Sequence, residues 1–93
     1  MKFMLTFSWK PDIKAQAEGI ARFRKTGGQA PKGAKLLGRW ISADFSIGFV
    51  LLESDDPQAL TEFSLMWSDL MDLKVVPVVE DQGLITVLDR MGK

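Results

Sequence analysis

The first nine residues alternate. Phe3, Leu5, Phe7 and Trp9 fall on one side, and Lys2, Met4, Thr6 and Ser8 on the other. A period of two with aromatic residues predicts a strand from Lys2 to Trp9. Pro11 and Asp12 stop it, and Asp12 is a candidate N-cap for a helix. Ile13, Ala17, Ile20 and Phe23 then recur at helical spacing to about Lys25, and Gly27-Gly28 supplies the left-handed C-terminus. Gln29 to Ala34 reads as a loop.

A second strand is predicted from Lys35 to Ser42, a turn from Ala43 to Ile47, and a third strand from Gly48 to Glu53. Ser54-Asp55-Asp56-Pro57 is a helix start, an acidic cap followed by proline in the first turn. The helix carries Leu60, Phe63, Met66, Trp67 and Leu70. The β-branched run Val75-Val76-Pro77-Val78-Val79 predicts a fourth strand over Leu73–Glu80. Pro77 cannot donate a ladder hydrogen bond, which sends this strand to an edge. Leu84, Ile85, Leu88 and Met91 fit a short amphipathic terminal helix. The order strand, helix, strand, strand, helix, strand is the ferredoxin-like βαββαβ plan. Right-handed crossovers put the first and third strands in the middle of an antiparallel sheet, with both helices on one face. The fold class is α+β, in a single domain spanning 1–93.

Composition narrows the chemistry. The chain has 93 residues, 46% of them hydrophobic, and no Cys, His or Tyr. The usual ligands of zinc and haem are missing, as are thiol and imidazole catalysis, so no metal and no cofactor are expected. Ser54, Ser64 and Ser68 have no histidine to activate them. The amino-terminal apolar run is diluted by Thr6 and Ser8, and no stretch approaches the roughly 20 apolar residues of a membrane span. A soluble cytoplasmic protein is expected.

Charge is balanced overall but not along the chain. Nine basic and two acidic residues precede Trp40, and three basic and ten acidic residues follow from there. A nucleic-acid reading takes Arg22, Arg24, Lys25, Lys32, Lys35 and Arg39 as a phosphate-binding face, but net neutrality favours attraction between the two halves, within the fold or across a dimer. Gly28 to Lys35 lacks the lysine of a phosphate loop and runs from helix to strand rather than strand to helix. An RNA-recognition domain shares this element order, yet Ile47-Gly48-Phe49-Val50-Leu51-Leu52 lacks the basic residue and second aromatic of its base-stacking motif. Nucleic acid is not an expected partner.

Met1 to Trp9, Lys35-Leu36-Leu37-Gly38-Arg39-Trp40 and Gly48-Phe49-Val50-Leu51-Leu52-Glu53-Ser54-Asp55-Asp56-Pro57 form one pattern, continued by Phe63 to Leu70 and Val76 to Asp81. This pattern resembles an uncharacterised family of small bacterial proteins, a domain of unknown function similar to the dimeric α/β-barrel superfamily. The resemblance implies a ferredoxin-like protomer that pairs into a barrel, and it carries over no catalytic residue. The wider superfamily holds oxygenases, haem enzymes, stress proteins and ligand sensors, so it does not select one activity.

Extending the alternation places Met4, Thr6, Leu37, Arg39 and Ile41 on the sheet face away from the helices. There Arg39 could receive an anion or pair with Glu80, an edge or inter-subunit salt bridge being the plainer role. Trp9 and Trp40 are expected on the helix side as core. Trp67 sits on a helix with more than one apolar stripe, part of which should meet a partner. Asp44, Asp69 and Asp72 read as turn and helix-end residues. These seven candidates (Arg39, Met4, Thr6, Leu37, Ile41, Trp67, Glu80) would line a cavity or an interface. The function expected is a small homodimeric ligand-binding or structural module. The alternative is a cofactor-independent oxygenase or isomerase acting on a small apolar or anionic substrate beside the sheet.

Overall fold

The computed structural model describes residues 1–93. Its elements are β1 (Lys2–Trp9), α1 (Ala15–Thr26), β2 (Lys35–Ile41), β3 (Ile47–Glu53), α2 (Pro57–Trp67), β4 (Met71–Val78) and α3 (Asp81–Arg90). The sheet order is β2-β3-β1-β4 and all three pairings are antiparallel. This is the expected ferredoxin-like α+β fold, with β4 and its Pro77 at an edge.

Local chemistry accounts for the helix ends. Asp56 caps α2 by accepting from the Gln58 backbone N–H at 3.0 Å, with Pro57 in the first turn. Asp12 does not cap α1 as expected. Its carboxylate accepts from the Lys14 N–H at 2.9 Å, and the resulting turn delays the helix to Ala15. Gly27, at φ 73°, ends α1 in the left-handed conformation anticipated for it. β4 begins and ends two residues earlier than the Leu73–Glu80 expected, because the hydrophobic run starts at Met71, whose side chain is in the core.

The helix-facing residues of the two central strands form the core. Leu5, Val50 and Leu52 pack with Leu60, Phe63 and Trp67 of α2, with Leu70 and Met71, and with Ala15 of α1. Trp67 is therefore a buried core residue. The exposed part of α2 is Leu65 and Met66. α1 contributes little apolar packing: its buried residues are Ala15 and Gly19, while Ile13, Ile20 and Phe23 stay largely open.

Polar links hold α1 in place instead. The Arg22 guanidinium donates to both Asp69 carboxylate oxygens, at 3.0 and 2.8 Å, and to the Met66 carbonyl at 2.7 Å. It also lies 5.3 Å from the Trp67 ring centroid. The Asp69 carboxyl is held below its ordinary range by the Arg22 hydrogen bonds. All four ion pairs join the basic first half to the acidic second half: the amino terminus to Asp55, Lys2 to Glu80, Lys10 to Asp72 and Arg22 to Asp69. The opposite charges thus attract within the fold. Glu80 is committed to Lys2 at 2.7 Å and is not the partner of Arg39.

The alternation fails in β2. The β2–β3 register shifts between Leu36 and Gly38, so that Leu37 is an extra residue in the ladder. Leu36 still opposes Leu52, but Gly38 opposes Leu51, Arg39 opposes Val50, and Trp40 opposes Phe49. A one-residue slip moves every later side chain to the other face. Arg39 and Ile41 therefore lie on the helix side with Val50 and Gly48, contrary to the expected outer face. Trp40 leaves the expected core for the outer face, where it is 56% exposed and its ring covers Gly38. Met4 and Thr6, opposite Leu51 and Phe49, stay on the outer face.

Candidate functional site

Between α1 and the sheet lies an open cleft of about 540 Å³. Its floor is Leu5, Phe7 and Trp9 of β1 with Val50 of β3. Phe63 and Trp67 of α2 and Met71 and Leu73 of β4 close one side. Ile20, Phe23 and Arg24 of α1 form the roof, and Arg39, Trp40 and Ile41 of β2 with Phe45 form the opposite wall. Thirteen of the sixteen lining residues are hydrophobic.

Missing side chains leave this space open. Gly19 has no Cβ, and one built there would lie 2.4 Å from Trp9 Cζ3, so the indole slides directly under α1. Gly48 similarly lets the Phe7 ring lie flat on β3, a Cβ there falling 1.9 Å from Phe7 Cζ. Trp9 is held by its Nε1–H, which donates to the Phe45 carbonyl at 2.9 Å. The Phe45 ring stacks on the indole at 5.6 Å and 25°. Phe45 has φ 65°, which a non-glycine residue seldom adopts. The Ser42–Ser46 turn supports it: both hydroxyls donate to the Asp44 carboxylate at 2.7 Å. Those bonds lower the Asp44 pKa to about 2.

Arg39 is the polar feature of the wall. Its guanidinium donates to the carbonyls of Gly27, at 3.3 Å, and Gly28, just past the C-terminus of α1. The Phe23 ring centroid is 5.1 Å away. Partial burial depresses its pKa from the usual guanidinium value. No carboxylate pairs with it. The bonds to the final carbonyls of α1 suit the negative end of the helix dipole.

Of the seven candidates, the structure brings Arg39, Ile41 and Trp67 together around the cleft. Met4 and Thr6 lie on the other face of the sheet, Leu37 sits in the bulge, and Glu80 stands just before α3 with its carboxylate on Lys2. The sequence reading missed Phe23, Arg24, Phe45 and Gly19 as a group. Their convergence depends on the position of α1 and on one left-handed turn residue, and neither leaves a periodic signal.

The lining holds no carboxylate, thiol, imidazole or hydroxyl side chain. It offers a bound molecule apolar contact and two guanidinium groups, Arg24 and Arg39. No group of three or more His, Cys, Asp or Glu residues is placed to hold a metal ion.

A family model described as a domain of unknown function (DUF3303) matches residues 1–92. The chain belongs to this family. The DUF3303 description assigns no reaction, in keeping with a small uncharacterised module, and nothing in the cleft supports the oxygenase or isomerase alternative. No curated protein matches the chain. No helix of this DUF3303 protein is long and apolar enough to cross a membrane.

Proposed function

We propose that this protein is a binding module that takes a small apolar molecule into the cleft between α1 and the sheet. The observation that carries the reading is the cleft itself. Its volume falls inside the roughly 300–1,000 Å³ range of ligand pockets. Its walls are aromatic, and α1 is tied down by Arg22 and Arg39 rather than by side chains filling the space. Trp9 and Trp67 line the cleft and serve as reporters. Titration with the neutral fluorophore N-phenyl-1-naphthylamine should give saturable quenching of tryptophan emission at one molecule per chain. Ile20→Trp, which places an indole in the roof, should abolish it without unfolding the protein. Absence of saturable binding, or equal binding by Ile20→Trp, would overturn the reading.

We further propose that the module works as a homodimer paired through the helix-free face of the sheet. An outer face open to water should alternate strictly with polar residues. Here it carries Met4, Trp40, Phe49, Leu51 and Val76. The chain exposes 6601 Å², whereas a compact monomer of its mass, 10.4 kDa, exposes about 5,400 Å². The excess of about 1,200 Å² exceeds the roughly 800 Å² that each partner buries in a stable interface. Part of it belongs to α3, which has no buried residue and leaves Leu84, Ile85, Leu88 and Met91 open. A helix of 10 residues falls short of the roughly 12–15 needed to persist alone, so it too calls for cover. A twofold axis lets one surface serve both copies. A cytoplasmic setting is part of this proposal.

A further inference from the structure

The charges around the cleft all have one sign. Arg24 of the α1 roof and Arg39 of the β2 wall are the charged residues of its lining. Four ion pairs occupy the amino terminus, Lys2, Lys10 and Arg22, and neither cleft arginine takes part in any of them. This distribution is specific to the site, because the chain as a whole has as many acidic as basic residues. Arg39 uses two of its five N–H donors on the Gly27 and Gly28 carbonyls. The others remain available. Two backbone carbonyls and the Phe23 ring partner the guanidinium, and no carboxylate neutralises it.

We propose that the ligand of the cleft is an apolar, preferably aromatic, molecule carrying one anionic group such as a carboxylate, which Arg39 receives with Arg24 beside it. The proposal rests on the cleft being a binding site and adds the chemical class of what it binds. The apolar body fits the aromatic walls. The anion meets the planar donor fork of Arg39, which matches the two oxygens of a carboxylate. Phe23 and the Gly27–Gly28 carbonyls hold the guanidinium in place before the ligand arrives, so little side-chain order has to be gained on binding.

The test compares 2-naphthoate with 2-naphthylmethanol, which has the same ring system and no charge. Both are titrated by calorimetry and by tryptophan quenching into the full chain. A charge-assisted hydrogen bond predicts that the carboxylate binds about tenfold tighter or better. The preference for the carboxylate over the alcohol should shrink in Arg39→Gln and in Arg24→Gln, and it should weaken as salt is raised. If Arg39→Gln fails to fold, the Arg24→Gln variant and the salt series decide the matter in the same way. Equal binding of the two compounds to the unaltered protein would overturn the anion class, reduce Arg39 to a strut for α1, and leave the apolar cleft standing. Failure of both to bind, together with failure of N-phenyl-1-naphthylamine, would overturn the cleft reading as well.

Discussion

Gly48→Ala puts a single methyl group where the structure has no room for it. Gly48 is buried in the central strand β3, opposite Phe7 on one side and Ile41 on the other. An added Cβ would lie 1.9, 2.1 and 2.5 Å from three carbons of the Phe7 ring. Carbon atoms settle at about 3.5–4.0 Å, so the ring must move by roughly 2 Å. Neighbouring strands block retreat along the sheet, and the cleft offers the free direction. The movement breaks the edge-to-face pair of Phe7 with Trp9, now at 6.2 Å and 81°, which is worth about 0.5–1.5 kcal/mol. Overpacking adds about 1–3 kcal/mol, and replacing a strand glycine by alanine returns about 0.5–1 kcal/mol. A net loss of about 2 kcal/mol, the middle of a range of about 0.5–4 kcal/mol, lowers Tm by about 8–16 °C for a domain of this size. The same substitution pushes the ring into the cleft, so ligand affinity should fall alongside stability. Thermal unfolding followed by circular dichroism gives the first quantity and N-phenyl-1-naphthylamine titration the second. A variant with unchanged Tm and unchanged affinity would refute the reasoning, since Phe7 would then have another place to go.

Leu52 is fully buried between the sheet and α2, so Leu52→Ala should cost about 2–5 kcal/mol in urea unfolding. Asp44 titrates lower in the folded state, at about 2, than in the unfolded chain, at about 3.9. The stability it contributes is therefore full above pH 4 and is lost as pH falls towards 2. A Tm–pH curve should drop over that window, and Asp44→Ala should make the drop shallower. Phe49, central on the outer face and 37% exposed, should be needed for pairing. Sedimentation equilibrium at micromolar concentration should give twice the 10.4 kDa chain mass for the unaltered protein and a single chain for Phe49→Lys. A monomer in both samples would sink the dimer.

The parts of the fold that rest on periodicity were legible in the sequence. β1 alternates cleanly because one face is buried by helices. The Asp56-Pro57 start of α2 carries its own chemistry, and Pro77 identified an edge strand by what it cannot donate. The errors have one principal source. Leu37 takes an extra place in the β2 ladder, and nothing in Lys35-Leu36-Leu37-Gly38-Arg39-Trp40-Ile41 distinguishes a bulge from a regular strand. The consequence is large because strand periodicity is two: Arg39 and Trp40 exchange faces. The most informative residue for function was therefore recognised as unusual but assigned to the wrong side of the sheet. α1 posed a different difficulty. Its apolar spacing predicts a packed helix, yet Ile20 and Phe23 overhang a space instead of filling one. Sequence spacing defines the stripe on a helix; how far the helix stands off the sheet depends on Trp9 under Gly19 and on the guanidinium links of Arg22 and Arg39.

That stand-off gives the bulge its functional meaning. With a regular β2, Arg39 would lie on the outer face among Met4, Leu51 and Phe49, where a charge would oppose burial by a second copy. The extra residue at Leu37 moves the charge to the cleft and turns the Trp40 ring outward over Gly38. The outer face becomes more apolar as the cleft becomes more cationic. On the cleft side, Arg39 ties β2 to the end of α1 through Gly27 and Gly28, and Arg22 ties the same helix to α2 through Asp69. α1 is thus suspended from its polar links, and the aromatic surface beneath it stays open to a ligand. Removing Leu37 tests that register. The deletion should take out the bulge yet keep Gly38 opposite Leu51 and Arg39 opposite Val50, so self-association and the preference for 2-naphthoate over 2-naphthylmethanol should both survive. A folded deletion variant that loses the anion preference would refute the pairing of Arg39 with Val50 on the cleft side.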